Sequence, residues 1–460
     1  MAFHLNGEVP EPIRALCPHA RESFACKQTR LSTQNQRNSA HMRPSTSPLS
    51  TPAVVWGTLA LLSGLNLLNY LDRYVMSAVL TPLQADLRLD DAAGGSLASA
   101  FMLGYFLTAP IFGYLGDRFP RKYLMLGGVI VWSLATAASG LAHNFAQLFA
   151  IRVVVGVGEA CFVTMSPSWI SDLFAATRRN TALTLFYVAV PFGSAIGFAI
   201  GGKFAQYGEW RDAFFWVGLP GLLFALSLLM LREPPRGEAD GLAGEVVRHP
   251  KARVGEVAGL LLNCRYNLLT WGYAAQVFAI GAFGVWGPKF LYLIHGLPLG
   301  HANTIFGEML AGAGLFGTLC GGFIATWLRK RTPAGYAWVM ALSIFLAIPV
   351  SFFALTVADA TSSIIGLGFC MFFLFLPTGP ITTQIFEIVP VHLRANAVAL
   401  CTFIIHLFGD FSSPPIVGAV SDATKSLQKG VLILPVVLLI GAVLWSLLIR
   451  FTRESHKVEA

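Results

Sequence analysis

The sequence predicts an all-α membrane protein of twelve transmembrane helices arranged as two pseudo-symmetric six-helix bundles. Three observations predict it. Of 460 residues, 55% are hydrophobic and 12% charged, about half the charged share of an ordinary soluble protein. The apolar residues gather in runs that reach the roughly 20 residues a helix needs to cross a bilayer, and they do not alternate as barrel strands do. The runs come as six, a polar interval, and six.

Taken in order, residues 1–50 are polar and rich in Arg, Ser, Thr, Gln and Asn, without the short apolar core of a secretory signal. They read as a disordered cytoplasmic tail, and Met42, just upstream of the first apolar run, offers an alternative start. Spans 1 to 6 fall at 54–81, 95–116, 122–142, 147–172, 181–203 and 212–232. Spans 7 to 12 fall at 266–293, 303–327, 335–357, 361–388, 396–421 and 430–451. These set an N-terminal bundle over 51–232, a cytoplasmic linker over 233–265 that opens Glu233-Pro-Pro-Arg236, a C-terminal bundle over 266–451 and a tail over 452–460.

Basic residues fix the orientation. With the N-terminus inside, the cytoplasmic loops and C-terminal tail carry 18 of the 32 Lys and Arg, the opposite loops and helix ends six, and the N-terminal tail six. That asymmetry puts both termini in the cytoplasm of an inner-membrane protein. It also accounts for the net charge of +8 through basic loops beside anionic lipid, with no nucleic-acid partner.

Away from the span ends, only two basic residues lie inside spans, Arg73 and Arg152. An ionisable group there costs at least about 2.5–3.5 kcal/mol on insertion scales, so each needs a partner or a task. In span 1, Asn66, Asn69, Tyr70, Arg73 and Ser77 share one helical face, while Asp72 points about 100° away from Arg73. The two are therefore placed to address different partners, and span 4 offers Arg152 and Glu159, on one face but about 10.5 Å apart along the axis. One reading makes these four groups salt bridges that pin spans 1 and 4 together. The functional reading gives Arg73, helped by Asn66, Asn69, Tyr70 and Arg152, to an anionic substrate group, and Asp72 or Glu159 to a proton. His406 and Asp410, four residues apart on span 11, either bond to each other and stay quiet or form a second proton site.

The loop after span 2 reads Gly113-Tyr-Leu-Gly-Asp117-Arg118-Phe-Pro-Arg121-Lys122. Gly113 is expected to admit a neighbouring helix closely, and Asp117 to meet the positively polarised start of span 11 near Asn396. Arg118 and Arg121 complete this predicted cytoplasmic gate, with basic groups reaching helix carboxyl ends. In span 5, Pro191, Gly193, Gly197, Gly201 and Gly202 allow a bend and close packing. Seven scattered cysteines carry no zinc or disulfide spacing. No metal, cofactor or enzyme chemistry is expected, because no phosphate-cradling loop or nucleophile elbow occurs.

The halves repeat. A shift of 209 lays Gly113 on Gly322 and Arg121 on Lys330; a shift of 216 lays Arg178 on Arg394, Gly193 on Gly409 and Gly202 on Gly418. This plan resembles the major facilitator superfamily, whose substrate site lies near the midplane between the halves. Five stretches in order sharpen the resemblance: Asn-Tyr-Leu-Asp-Arg at 69–73, GYLGDRFPRKYLM at 113–125, RVVVGVGEA at 152–160, FYVAVPFGSAIG at 186–197 and LREPPRG at 231–237. Together they look like the Spinster family of lipid transporters, densely over 60–237 and by topology thereafter, with loops and tails of a bacterial sort. The resemblance implies a carrier, proton-linked or facilitated, for lysolipids or sphingoid phosphates, with Asp72, Arg73, Arg152 and Glu159 matching the family's charged residues; a monomer is expected. Its partners would be the small-molecule or lipid substrate, protons and membrane lipids. A proton-coupled symporter of small organic anions is the nearest rival, and a drug/proton exporter the next.

Overall fold

The computed structural model describes residues 51–236, 239 and 254–459; the predicted N-terminal tail and most of the linker lie outside them. The described residues from 55 onward form one compact unit. Among the described residues, twelve helices are long and apolar enough to cross a membrane: Pro52–Ala78, Asp91–Arg118, Arg121–Ser139, Phe145–Leu173, Thr177–Tyr207 and Trp210–Met230, then Cys264–His295, Leu299–Arg329, Gly335–Thr356, Ala360–Ile388, Asn396–Thr424 and Leu427–Thr452. They are spans 1 to 12 below.

Local chemistry sets their ends. Asp90, Asn144, Asn263 and Asp359 each accept a backbone N–H of the first helical turn, at Ala93, Gln147, Tyr266 and Ser362, the side chains best suited to an N-cap. Gly208 and Gly296 terminate spans 5 and 7 at φ +77° and +65°, a left-handed conformation that costs glycine nothing.

Three spans are less regular than their hydropathy suggests. Span 1 stops at Ala78, and a separate helix, Leu80–Leu87, carries the chain on. Span 10 divides into Ala360–Phe375 and Thr378–Ile388 around Pro377, which has no N–H to offer the preceding turn; the Gln276 side chain of span 7 donates instead to the Leu374 carbonyl beside the break. Span 11 contains a π turn at His406–Asp410, just ahead of Pro414 and Pro415, with Gly409 at φ −97°, ψ −105°.

The internal repeat is visible in the packing. Gly193 of span 5 lies on span 1, where a Cβ would meet the Leu67 carbonyl, and its counterpart Gly409 of span 11 lies on span 7 against Val277. Gly202 of span 5 meets Asn303 of span 8, while its counterpart Gly418 of span 11 meets Asp91 and Ala92 of span 2. One pair of equivalent glycines thus works inside each half, and the other joins the halves along two related seams, spans 5 with 8 and spans 11 with 2.

Both seams tighten toward the Asp91 end of span 2. There Lys289 of span 7 donates to Asp91 at 2.6 Å and to Gln84 at 2.7 Å, and the Ser421 hydroxyl donates to the other Asp91 oxygen at 2.6 Å. The Asp422 carboxylate accepts the backbone N–H groups of Asp91 and Ala92, at 3.0 and 2.8 Å, so the last turn of span 11 caps the first turn of span 2. On the seam of spans 5 and 8, Asn303 donates to the Ala78 carbonyl at the end of span 1 and Phe198 packs edge-on against Phe306. Large apolar side chains such as Leu107, Trp216, Leu223, Phe316, Phe323 and Phe345 point outward, as a surface facing hydrocarbon requires.

Candidate functional site

The four scarce charges of spans 1 and 4 form two ion pairs. Arg73 Nε donates to Glu159 Oε2 at 2.7 Å, and Arg152 Nη1 faces Asp72 Oδ1 at 3.5 Å. Neighbours on span 1 do bond to different residues of span 4, as their 100° separation predicts, and Arg152 and Glu159 do not bond to each other. Asp72, Arg152 and Glu159 are essentially fully buried, while the Arg73 side chain keeps 15% exposure.

Span 3 adds a member that the sequence did not single out. The Thr136 hydroxyl, wholly buried, donates to Asp72 Oδ2 at 2.6 Å, so both oxygens of that carboxylate face a donor. Span 2 adds aromatic rings. The Arg73 guanidinium sits 4.9 Å from the Tyr70 ring centre, 5.0 Å from Phe101 and 5.2 Å from Tyr105, and Phe101 also lies 5.7 Å from the Arg152 guanidinium. Stacking of this kind suits a planar, weakly hydrated cation. With Nε taken by Glu159 and the rings around it, Arg73 keeps Nη2 buried without a partner, as Glu159 keeps Oε1. Such groups cost free energy unless something else pairs with them.

Asn66 donates to the Phe186 carbonyl of span 5 at 3.0 Å, a packing contact. Asn69, fully buried, has both side-chain atoms unpaired. Gly156 and Gly158 of span 4 bring backbone to backbone: a Cβ at Gly156 would strike the Phe101 carbonyl, one at Gly104 the Val153 carbonyl, and one at Gly158 span 3.

On span 11, His406 Nδ1 lies 3.0 Å from each Asp410 oxygen, so the two bond to each other. They stand at the seam, with the His406 ring 6.5 Å from that of Tyr105 and Asp410 against Gly281 of span 7.

At the Arg118 end of span 2, Gly113 departs from expectation: a Cβ there would meet only Thr164 Cγ2 at 3.9 Å, ordinary contact. Close approach of span 2 to span 4 occurs at Gly104 instead. The Asp117 carboxylate is exposed, and here it is the Asp117 backbone carbonyl that accepts a bond, from Arg236 of the linker. Arg118 covers Tyr114, 3.6 Å from its ring centre. Arg121 is buried, donating to Asp172 at 2.6 Å, to Glu233 at 3.0 Å and to Ser168 at 3.1 Å. Lys122 donates to the carbonyls of Leu229 and Leu231, each at 2.7 Å, at the end of span 6, a cation at a helix carboxyl end as expected. Glu233 and Asp172 are the partners that spacing alone did not reveal, because they come from the linker and the far end of span 4.

Comparison with known proteins adds the following. A family model described as Major Facilitator Superfamily matches residues 62–414. Protein spinster of Drosophila melanogaster is 33% identical over 387 residues, which is 81% of this chain and 63% of that one; the chain thus spans a little under two thirds of that relative. The sphingosine-1-phosphate transporter SPNS2 of Mus musculus is 34% identical over 393 residues, covering 80% of this chain and 70% of that one. A solved structure, the bacterial homolog to the human lysosomal transporter Spinster in an inward-facing, unoccupied conformation, superposes with a TM-score of 0.80 at 25% identity, over 88% of this chain and 99% of that one.

Proposed function

The chain belongs to the major facilitator superfamily and, within it, to the Spinster proteins, and from that starting point we propose that it carries an amphiphilic anionic or zwitterionic lipid, a lysophospholipid or a sphingosine-1-phosphate-like molecule, by proton-coupled alternating access. It is a multi-pass membrane transporter and not an enzyme. The mouse relative's name supports the lipid class. The single observation that carries the mechanism is the half-made pair of Arg73 and Glu159: Nε donates to Oε2, while Nη2 and Oε1 have no hydrogen-bond partner.

An anionic head group that reaches Nη2 competes with Glu159 for the same positive charge. Glu159 then sits in a buried site without its counter-ion, and uptake of a proton neutralises it. Loss of the head group restores the pair and releases the proton, so one arginine links the two loads. Asp72, held by Thr136 and Arg152, keeps the second pair beside the first and is the other candidate proton carrier. The distribution of Lys and Arg supports both termini lying in the cytoplasm of an inner membrane, which makes the seam at Asp91 the outer closure and the conformation described here inward-facing. Asp117, Arg118 and Arg121 are then the cytoplasmic gate, with the Asp117 carboxylate free to cap span 11 when that side closes. The protein works as a monomer, with one site between its halves.

Uptake into liposomes of labelled lysolipids and of small organic anions, with and without an imposed pH gradient, tests this. Lysolipid uptake that responds to the gradient is expected. The same ion pairs suit a proton-coupled symporter of a small organic anion; uptake of a short carboxylate that lysophospholipid does not inhibit would favour that reading. Uptake indifferent to the gradient would remove the proton from the mechanism.

A further inference from the structure

Asn69 has no task in the mechanism above, and its position calls for one. It is fully buried, and neither Oδ1 nor Nδ2 has a hydrogen-bond partner in the protein. Sequence reasoning gave it to the head group with Arg73, but Arg73 keeps 15% exposure and Asn69 has none, so a head group that meets the arginine stops short of the amide in this conformation. Leu62, Leu65, Asn69, Asp72 and Met76 follow one helical stripe, all of them buried. Leu62 and Leu65 belong to one apolar cluster with Trp132 and Phe162 of spans 3 and 4. An apolar side chain would continue that stripe at no polar cost, whereas a buried amide group without a partner costs about 1–3 kcal/mol.

Residues three and four apart are neighbours on a helix, so Asn69 stands one turn from both Asp72 and Arg73, the span 1 members of the two ion pairs. Each pair has an edge to spare: Glu159 leaves Oε1, and Arg152 leaves Nε and Nη2, buried without partners. Asp72 Oδ2 is taken by Thr136 at 2.6 Å, but Oδ1 meets Arg152 only at 3.5 Å. The groups facing the two carboxylates are Arg73 of span 1, Tyr105 of span 2, Thr136 of span 3 and Arg152 of span 4, and the carboxylates also face each other. The Phe101 ring centre lies 5.0 Å from one guanidinium and 5.7 Å from the other, which keeps the two within about 11 Å, a gap that one or two waters bridge. Glu159 Oε1 and Asn69 Oδ1 accept from such water, and Asn69 Nδ2 and the Arg152 edge donate to it, so both senses of hydrogen bond are met.

We propose that Asn69 is a positioning residue that holds water between Glu159 and Asp72 inside the first half, so that the proton taken up by Glu159 moves on to Asp72. Glu159 Oε1–H gives its proton to the water, the water gives one of its own to Asp72 Oδ1, and one O–H bond breaks for each that forms. Glu159 regains its charge and with it Arg73, which displaces the head group. The inference rests on the proton-coupled reading above and deepens it by giving the two carboxylates an order, with Asp72 as the station that turns uptake of the proton into release of the load.

The test is made in liposomes with labelled lysophosphatidylethanolamine. It compares accumulation under an imposed pH gradient with counterflow at equal pH, in which one lipid replaces another on Arg73 while Glu159 keeps its proton. Asn69→Val, apolar and close in size, gives up no hydrogen bond within the protein and should melt no lower than wild type. It is expected to lower gradient-driven accumulation at least about tenfold more than counterflow, the worth of one hydrogen-bonded contact. Asn69→Ser, small enough to admit water and able to bond it, should bring accumulation back to within about threefold of wild type. Asn69→Leu takes the place of the valine variant should that one fail to fold. Accumulation by the apolar variant at the wild-type rate, an equal loss of both readouts, or no recovery with serine overturns the inference and leaves proton coupling standing. Failure of wild type to carry the lysolipid, or uptake indifferent to the gradient, overturns the reading above and this inference with it.

Discussion

Removing the Asp422 carboxylate is expected to loosen the closure at the Asp91 end without touching the ion pairs of spans 1 and 4. In the structure this group accepts two backbone N–H bonds, at 3.0 and 2.8 Å, from the first turn of span 2. Those N–H groups have no partner within their own helix, and the negative charge also meets the positive end of the helix. A hydrogen bond to a charged group contributes about 1.5–3 kcal/mol. Partial exposure reduces that, and water takes over the released N–H groups in the open state, so the net loss is set at about 2 kcal/mol, or roughly thirtyfold in the ratio of open to closed forms. Ser99, buried on span 2 one turn beyond the Gly95 contact with Pro414, serves as the reporter. In a background without the native cysteines, the rate at which an impermeant reagent labels a cysteine placed there follows the open population when opening is fast. Asp422→Ala should raise that rate by about thirtyfold over the matched control. Labelling at the control rate would refute the view that span 11 locks span 2 through this cap.

Other expectations follow from the same geometry. Glu159→Gln and Asp72→Asn should remove the dependence of lysolipid uptake on a pH gradient, in one or both variants; unchanged dependence in both would end their coupling role. Thr136→Val leaves Asp72 Oδ2 without its buried donor and should cost about 1–3 kcal/mol, read as a lower melting temperature that Thr136→Ser restores. Gly104→Leu or Gly156→Leu drives a side chain into backbone of the facing helix and should abolish folded protein in the membrane, whereas Gly113→Ala should be tolerated. Asp86, outside the spans, is held below the usual carboxylate range mainly by the hydrogen bond from Arg211. A depressed group contributes stability above its unfolded value and loses it as the pH falls through the folded one. Asp86→Asn should therefore lower stability at neutral pH by no more than about 0.5 kcal/mol, since the pair is exposed, and the difference should shrink as the pH falls through the lowered folded value.

The partnership of spans 1 and 4 was legible because charge is so rare here. With two basic residues inside twelve spans away from their ends, and Asp72 and Arg73 forced onto different faces by the helical turn, Arg152 and Glu159 had no other sensible correspondents. Thr136 and Phe101 were not legible, since one hydroxyl among many and one of 35 phenylalanines carry no signal until a carboxylate or a guanidinium is found beside them. Gly113 misled for a related reason: glycine permits a close approach without requiring one, and the requirement belongs to Gly104, which no loop motif marks. The clasp of Lys289, Asp91 and Asp422 was hidden among charges at helix ends, where solvent is the ordinary partner and sequence does not tell a bound carboxylate from a hydrated one. The breaks in spans 10 and 11 had their cause in view at Pro377 and Pro414, but hydropathy averages over them.

The reciprocal contacts of Gly104 with Val153 and of Gly156 with Phe101 have a mechanical consequence. Two carbonyl ridges, each seated where the other helix has no side chain, leave spans 2 and 4 no slack to slide or roll past one another. The Asp91 end of span 2, some 15 Å along the helix from Phe101, is therefore the far end of a stiff lever whose near end is the charged site itself. Release of the clasp would let spans 2 and 4 swing together, carrying the Phe101 ring between the two arginines with them. Such a stroke would change the span between Tyr105 and His406, where the halves part.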